Sequence, residues 1–166
     1  MTFIDIAAGE AVFLDANTLV YHFSAHPTYG TACTDLVERI ERRELQGFTS
    51  AHALADVAHR LMTIEAIALL GWPVAGVAAR LRKHSADIPR LHQYQQALAK
   101  VPQLGIQVLP LSESLVLSAA NLSQQHELLT GDALIVAVMR QHGLGHLASQ
   151  DADCDRVPGL IRYAPV

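Results

Sequence analysis

Hydrophobic positions change period repeatedly along the chain. "AVFL" at 11–14 is an unbroken apolar run of strand length, and Val12–Leu14 reads as a first strand buried on both faces. Over 29–47 the period lengthens. Cys33, Leu36, Val37, Ile40 and Leu45 fall on one face, which predicts an amphipathic helix stopped by Gly47. "FTS" at 48–50 predicts a short second strand. Ser50 is placed to cap a long helix, "AHALADVAHRLMTIEAIALL". Gly71-Trp72-Pro73 breaks it, and further helical stretches are expected near 74–84 and 88–101.

The second half repeats the alternation. "IQVLPL" at 106–111 predicts a strand, and Ser112 an N-cap for "ESLVLSAANLSQQH". A helix is expected from about Asp132 to Gly143, a strand over "HLASQD" at 146–151, and a last strand in "IRYAP". Strands alternating with helices predict an α/β fold, a mostly parallel sheet covered on both faces. The length of 166 residues is about that of one domain, so residues 1–166 are read as a single unit with 1–10 as an N-terminal extension.

Composition narrows the class. A hydrophobic content of 51% excludes general disorder. The N-terminus has no basic segment and carries Asp5 and Glu10, unlike a signal peptide. The longest apolar run, Ala66–Ala79, is too short to cross a bilayer, so no membrane association is expected. Cys33 and Cys154 have no metal-ligand spacing. A cytoplasmic protein is expected. The net charge of −4 advertises no basic field for nucleic acid. No aromatic-rich segment offers a stacking platform for single-stranded bases.

The candidate chemistry lies in the acids. Asp15 and Asp151 follow predicted strands, and Asp132 opens a predicted helix. Ligands of open parallel sheets bind beyond the carboxyl ends of strands. Each acid also has an ordinary explanation: Asp15 as an N-cap, Asp132 as a first-turn acid, Asp151 as a turn residue. Were they to converge, two charges ~4 Å apart at an effective dielectric of ~20 would repel by roughly 4 kcal/mol. Such a cluster must protonate or hold a cation, and hard oxygen ligands suit Mg2+ or Mn2+. His52, Asp56 and His59 share a helix face, but the HExxH zinc pattern is absent. The basic groups Arg39, Arg42, Arg43 and "RLRKH" at 80–84 are candidate phosphate contacts. No GxSxG and no glycine-rich nucleotide loop occurs. A dehalogenase-type phosphatase would need a second Asp where Asn17 stands.

The segments "VFLDANTLVY" (12–21), "FTSAHALADVAHRL" (48–61), "LLTGDALIVAVMRQHG" (128–143) and "HLASQDADCDRVPGLIRYAP" (146–165) together resemble the PIN domain, especially the VapC-like ribonuclease toxins of toxin–antitoxin pairs. The resemblance implies a three-layer α/β/α sandwich with a short, mostly parallel central sheet. It implies endonucleolytic cleavage of RNA with Mg2+ or Mn2+, and metal-binding acids at Asp15, Asp56, Asp132 and Asp151. Asn17 and Thr130 match polar positions near the site, and Asp153 is an auxiliary acid. A homodimer and an antitoxin partner are implied, with Ala66–Ala79 as a partner surface. Three departures stand out: Asp56 where the family carries Glu, Cys154 where it carries an aromatic residue, and the longer segment before the first strand. The shorter acid supports an alternative, a catalytically weak PIN-like interaction module.

Overall fold

A computed structural model describes all residues, 1–166. Five strands form one sheet: β1 (Ala11–Leu14), β2 (Gln46–Ser50), β3 (Gln107–Leu109), β4 (His146–Ala148) and β5 (Ile161–Tyr163). Their order is β3-β2-β1-β4-β5 and every pairing is parallel. The sheet is thus wholly, not mostly, parallel. Seven α-helices cover it: α1 (Ala16–Phe23), α2 (Gly30–Glu41), α3 (Ala51–Leu70), α4 (Val77–Lys83), α5 (Gln93–Lys100), α6 (Glu113–His126) and α7 (Thr130–Gln141).

β1 is central because its side chains are apolar on both faces. Val12 and Leu14 enter one core with α1, α2, α3 and α5, while Phe13 enters the other with α6 and α7. All three are fully buried. Each such side chain is worth ~1.5–3 kcal/mol of transfer free energy, so β1 is a firm mount for the acid at its carboxyl end. β4 copies the pattern: Ala148 joins the first core and Leu147 the second. β1 and β4 pair with Leu14 beside Ala148, where the strand order reverses direction along the chain. That reversal opens a crevice beyond the strands' carboxyl ends.

The caps follow their chemistry. Ser50 accepts from Ala53 N–H at 3.1 Å and Ser112 from Leu115 N–H at 3.3 Å. α3 ends at Gly71, whose φ of 63° suits a residue without Cβ. Several boundaries differ from expectation, β3 and β4 being shorter than the runs at 106–111 and 146–151. α2 ends at Glu41 rather than at Gly47, and Gly47 lies inside β2. A Cβ on Gly47 would come within 2.7 Å of Ile40 Cγ2, so the glycine serves close helix–strand packing. Leu45 is buried, but from the connection rather than the helix. α7 begins at Thr130, two residues before Asp132.

The N-terminal segment packs as an added element. Phe3 and Ile6 are buried, Thr2 bridges to Ala164, and Arg39 donates to the carbonyls of Phe3 (2.8 Å) and Ile6 (2.6 Å). Part of Ala66–Ala79 serves a small third core, where Ala66 and Val77 meet Leu81 and Leu91, with Ile67, Leu70 and Trp72 against them. Ile64, Leu69 and Val74 remain exposed on that side of the molecule. No helix is long and apolar enough to cross a membrane.

Candidate metal centre

Asp15 leaves β1 as the N-cap of α1, and its Oδ1 accepts from Ala16 N–H at 2.6 Å. Its other oxygen accepts from Ser149 Oγ at 2.7 Å and, at close range, from Asn17 Nδ2. Ser149 follows β4, 134 residues away, and is almost wholly buried. Its Oγ also accepts from Asn17 Nδ2 (3.0 Å) and from Asp151 N–H (3.0 Å). Asn17 Oδ1 accepts from Gln150 N–H at 3.2 Å, and Thr18 Oγ1 donates to the Ala148 carbonyl at 2.9 Å. One buried polar network therefore ties the end of β1 to the end of β4. Buried polar groups are costly unless paired, and here pairing fixes the rotamer of Asp15.

The helices bring the other acids. Asp132 sits in the first turn of α7, where the dipole favours an acid. Asp56 is exposed on the second turn of α3, and Arg60 approaches it only to 3.9 Å. Asp15, Asp56, Asp132 and Asp151 all line one cleft of about 420 Å³, together with His52. Asn17 and Thr130 do not line it: Asn17 acts on Asp15 from behind, and Thr130 is an exposed residue at the start of α7. Asp153 also stands back, ion-paired to Arg156, with its N–H donating to Asp151 Oδ1 at 3.0 Å.

Electrostatics register the crowding. Asp132 is pushed up to about 6, first by burial and then by the charges of Asp151, Asp15 and Asp153. Burial raises Asp15 against the lowering effect of hydrogen bonds from Ser149 and Ala16. No Lys or Arg lines the cleft, and Arg60, beside Asp56, offsets the charge on Asp15 from outside it. Yet no three His, Cys, Asp or Glu side chains stand preassembled as a metal cage. The donor set fits a hard divalent cation by type and charge, although the carboxylates stand apart from one another. Cys154 is buried in the α6–α7 core and its thiol is pushed up to about 12, by burial first, so it is an inert packing residue.

Residues 12–160 match the PIN domain. The chain belongs to the PIN domain family. Members of this family are generally nucleases, and PIN-domain nucleases generally use divalent metal ions. The family's α/β/α fold is also that of solved toxin structures. VapBC2 from Rickettsia felis, bound to a DNA fragment from its promoter, aligns with a TM-score of 0.59 at 16% identity, over 94% of this chain and 99% of that one. VapC20 from Mycobacterium tuberculosis, a toxin that cleaves the sarcin-ricin loop, gives 0.60 at 17% identity, over 89% and 95%. A toxin–antitoxin complex from Klebsiella pneumoniae gives 0.53 at 19%, over 90% and 95%. No curated protein matches the chain. The family match begins at residue 12, which leaves the packed N-terminal segment outside it.

Sequence reasoning missed Ser149. A hydroxyl in an otherwise apolar strand end, two residues before an acid, was the available signal. It also missed an aromatic cluster. Tyr21, His26 and Tyr29 pack together at the α1–α2 corner, with the His26 and Tyr29 rings stacked at 5.2 Å. Tyr29 Oη accepts from Gln150 Nε2 at 3.3 Å, which links the cluster to the loop carrying Asp151.

Proposed function

We propose that this protein is a metal-dependent endoribonuclease that acts in the cytoplasm as the toxin of a toxin–antitoxin pair. Asp15, Asp56, Asp132 and Asp151 hold one or two Mg2+ or Mn2+ ions. The observation that carries this reading is the convergence of acids from four separate segments on one cleft at the β1/β4 crevice. When bound, the ion supplies Lewis acidity toward a phosphodiester and makes water more acidic.

The chain's own residues divide the work. Asn17 and Ser149 hold the Asp15 carboxylate in one orientation. Ser149 also fixes the backbone at Asp151, so the two strand ends keep their spacing. Asp132 must lose its proton to serve as a ligand, which sets a lower pH limit on activity. Of the basic groups, Arg39 and Arg42 are occupied by Glu44 and Glu38. Arg80, Arg82 and Lys83 are exposed and pair with no carboxylate, which leaves them for RNA phosphates. The solved toxin–antitoxin complexes support an antitoxin partner, and exposed Ile64, Leu69 and Val74 support a homodimer.

The test is cleavage of a mixed RNA pool with Mn2+, with EDTA and Asp15→Asn as controls. Cleavage lost in both controls is the expected result. A second reading, a PIN-like interaction module with weak metal binding, is favoured by one observation: Asp56 is exposed, short and near Arg60. Failure to bind Mn2+ together with capture of a partner protein would select it.

A further inference from the structure

Ten residues line the acid cleft. Four are carboxylates, five are Ala16, Ala53, Leu129, Gly131 and Ile135, and the tenth is His52. A phosphodiester entering this space meets no Lys, Arg, Ser, Thr or Asn side chain. His52 is the one side chain on the wall with a nitrogen that can donate.

The ring is built to be used from outside. His52 lies in the first turn of α3, which the Ser50 cap holds in place. It is half-buried, yet its nitrogens make no hydrogen bond within the chain, whereas His26 Nδ1 accepts from two backbone N–H groups and His22 Nδ1 meets Thr34 Oγ1. Nε2 looks toward Gly131 across the cleft. A Cβ at 131 would sit 3.6 Å from it, in ordinary van der Waals contact, so a branched or longer side chain there would fill the space that Nε2 faces. His59, which shares the helix, is exposed and does not line the cleft.

We propose that His52 is a substrate-contacting residue, donating a hydrogen bond from Nε2 to a phosphate oxygen of the RNA bound against the four acids. This rests on the nuclease reading above. The contact gives an anionic substrate one favourable donor in a wall that otherwise repels it until a cation is present. It also gives Gly131 a role, which is to keep the space before Nε2 open.

The test uses the full chain and two readouts, kcat/KM on a fluorogenic RNA with Mn2+ and Mn2+ affinity by calorimetry. A hydrogen bond to a charged phosphate oxygen predicts that His52→Leu lowers kcat/KM about ten- to a hundredfold. Mn2+ affinity stays within about twofold of wild type, because His52 is not a ligand. His52→Gln, which keeps an N–H donor, recovers part of the loss, and Gly131→Val loses activity with His52 intact. Unchanged cleavage by His52→Leu overturns the proposal. So does a tenfold loss of Mn2+ affinity, which would make His52 a metal ligand, and so does a His52→Gln variant no better than His52→Leu. A wild type that binds Mn2+ but cleaves no RNA defeats the nuclease reading, and this contact with it.

Discussion

Asp15 and Asp56 face the same cleft and are held in opposite ways. Asp15 stands at the end of a fully buried strand, with three donors on its oxygens. Asp56 is an exposed residue on a helix, with Arg60 3.9 Å away. The strand side of the site is preorganised and the helix side is adjustable. This difference explains why four acids share a cleft while no three of them form a finished cage. On the proposed reading the strand side would fix where a cation lands and the helix side would add charge to it, at a cost carried mainly by Asp132, the acid pushed up to about 6.

The largest effect is expected on the rigid side, at Asp15. Asp15→Asn keeps the shape of the side chain and removes a negative charge. Cleavage should fall by at least ~10²–10³-fold, the scale of losing a main electrostatic contact, with the circular dichroism spectrum unchanged. Retained cleavage in a gel assay would mean that the strand-end acid is not the anchor.

Ser149→Ala attacks the same side through its support. It removes the hydroxyl that joins Asp15, Asn17 and Asp151. A loss of ~1–3 kcal/mol in denaturant unfolding is expected from the unpaired buried groups, along with a ~10-fold or larger fall in cleavage. A neutral result would show that Asn17 and the Ala16 N–H suffice to orient Asp15.

Asp132 sharpens the contrast through pH. Its folded pKa is raised above the ordinary carboxylate value of 3.8, to about 6, so the folded state holds a proton the unfolded chain has released. This contribution therefore favours folding below 3.8 and is lost as pH rises to about 6. Asp132→Asn should stabilise the metal-free protein at pH 7 by about 1 kcal/mol, after allowance for solvent screening of a half-buried group. The gain should vanish at about pH 4, near the unfolded carboxylate's own pKa. Thermal unfolding at the two pH values checks both signs. Activity should rise with pH through about 6 at low Mn2+, and added Mn2+ should move that midpoint down, since metal and proton compete for one carboxylate.

The smallest effect is expected at the adjustable end. Asp56→Glu lengthens a side chain that touches little, so stability should change by less than ~0.5 kcal/mol. Mn2+ affinity should rise severalfold as the carboxylate gains reach. Weaker binding by the Glu variant would show that Asp56 already sits at the right distance.

The same division governs what the sequence disclosed. β1, the Ser50 and Ser112 caps and the break at Gly71 depend on near neighbours, and local pattern found them. Gly47 did not follow, because its place is set by Ile40 pressing on it in three dimensions, not by helix-ending chemistry. Asp15, Asp132 and Asp151 stood out as acids at element ends. Their common cleft depends on strand order, which periodicity does not encode. Ser149 was silent because its partners Asp15 and Asn17 lie more than 130 residues away in the chain. The Tyr21–His26–Tyr29 cluster lies within one short stretch of chain, but its irregular spacing matches no helix or strand period, and the turn between α1 and α2 assembles it.

Mn2+ binding by calorimetry, on the wild type and on Asp15→Asn, asks whether the acid cleft takes up a cation through its strand-end acid. Saturable binding by the wild type at neutral pH, lost in Asp15→Asn, is the expected result. Equal binding by the two proteins, or none by the wild type, would contradict it and return these acids to service as caps and turn residues.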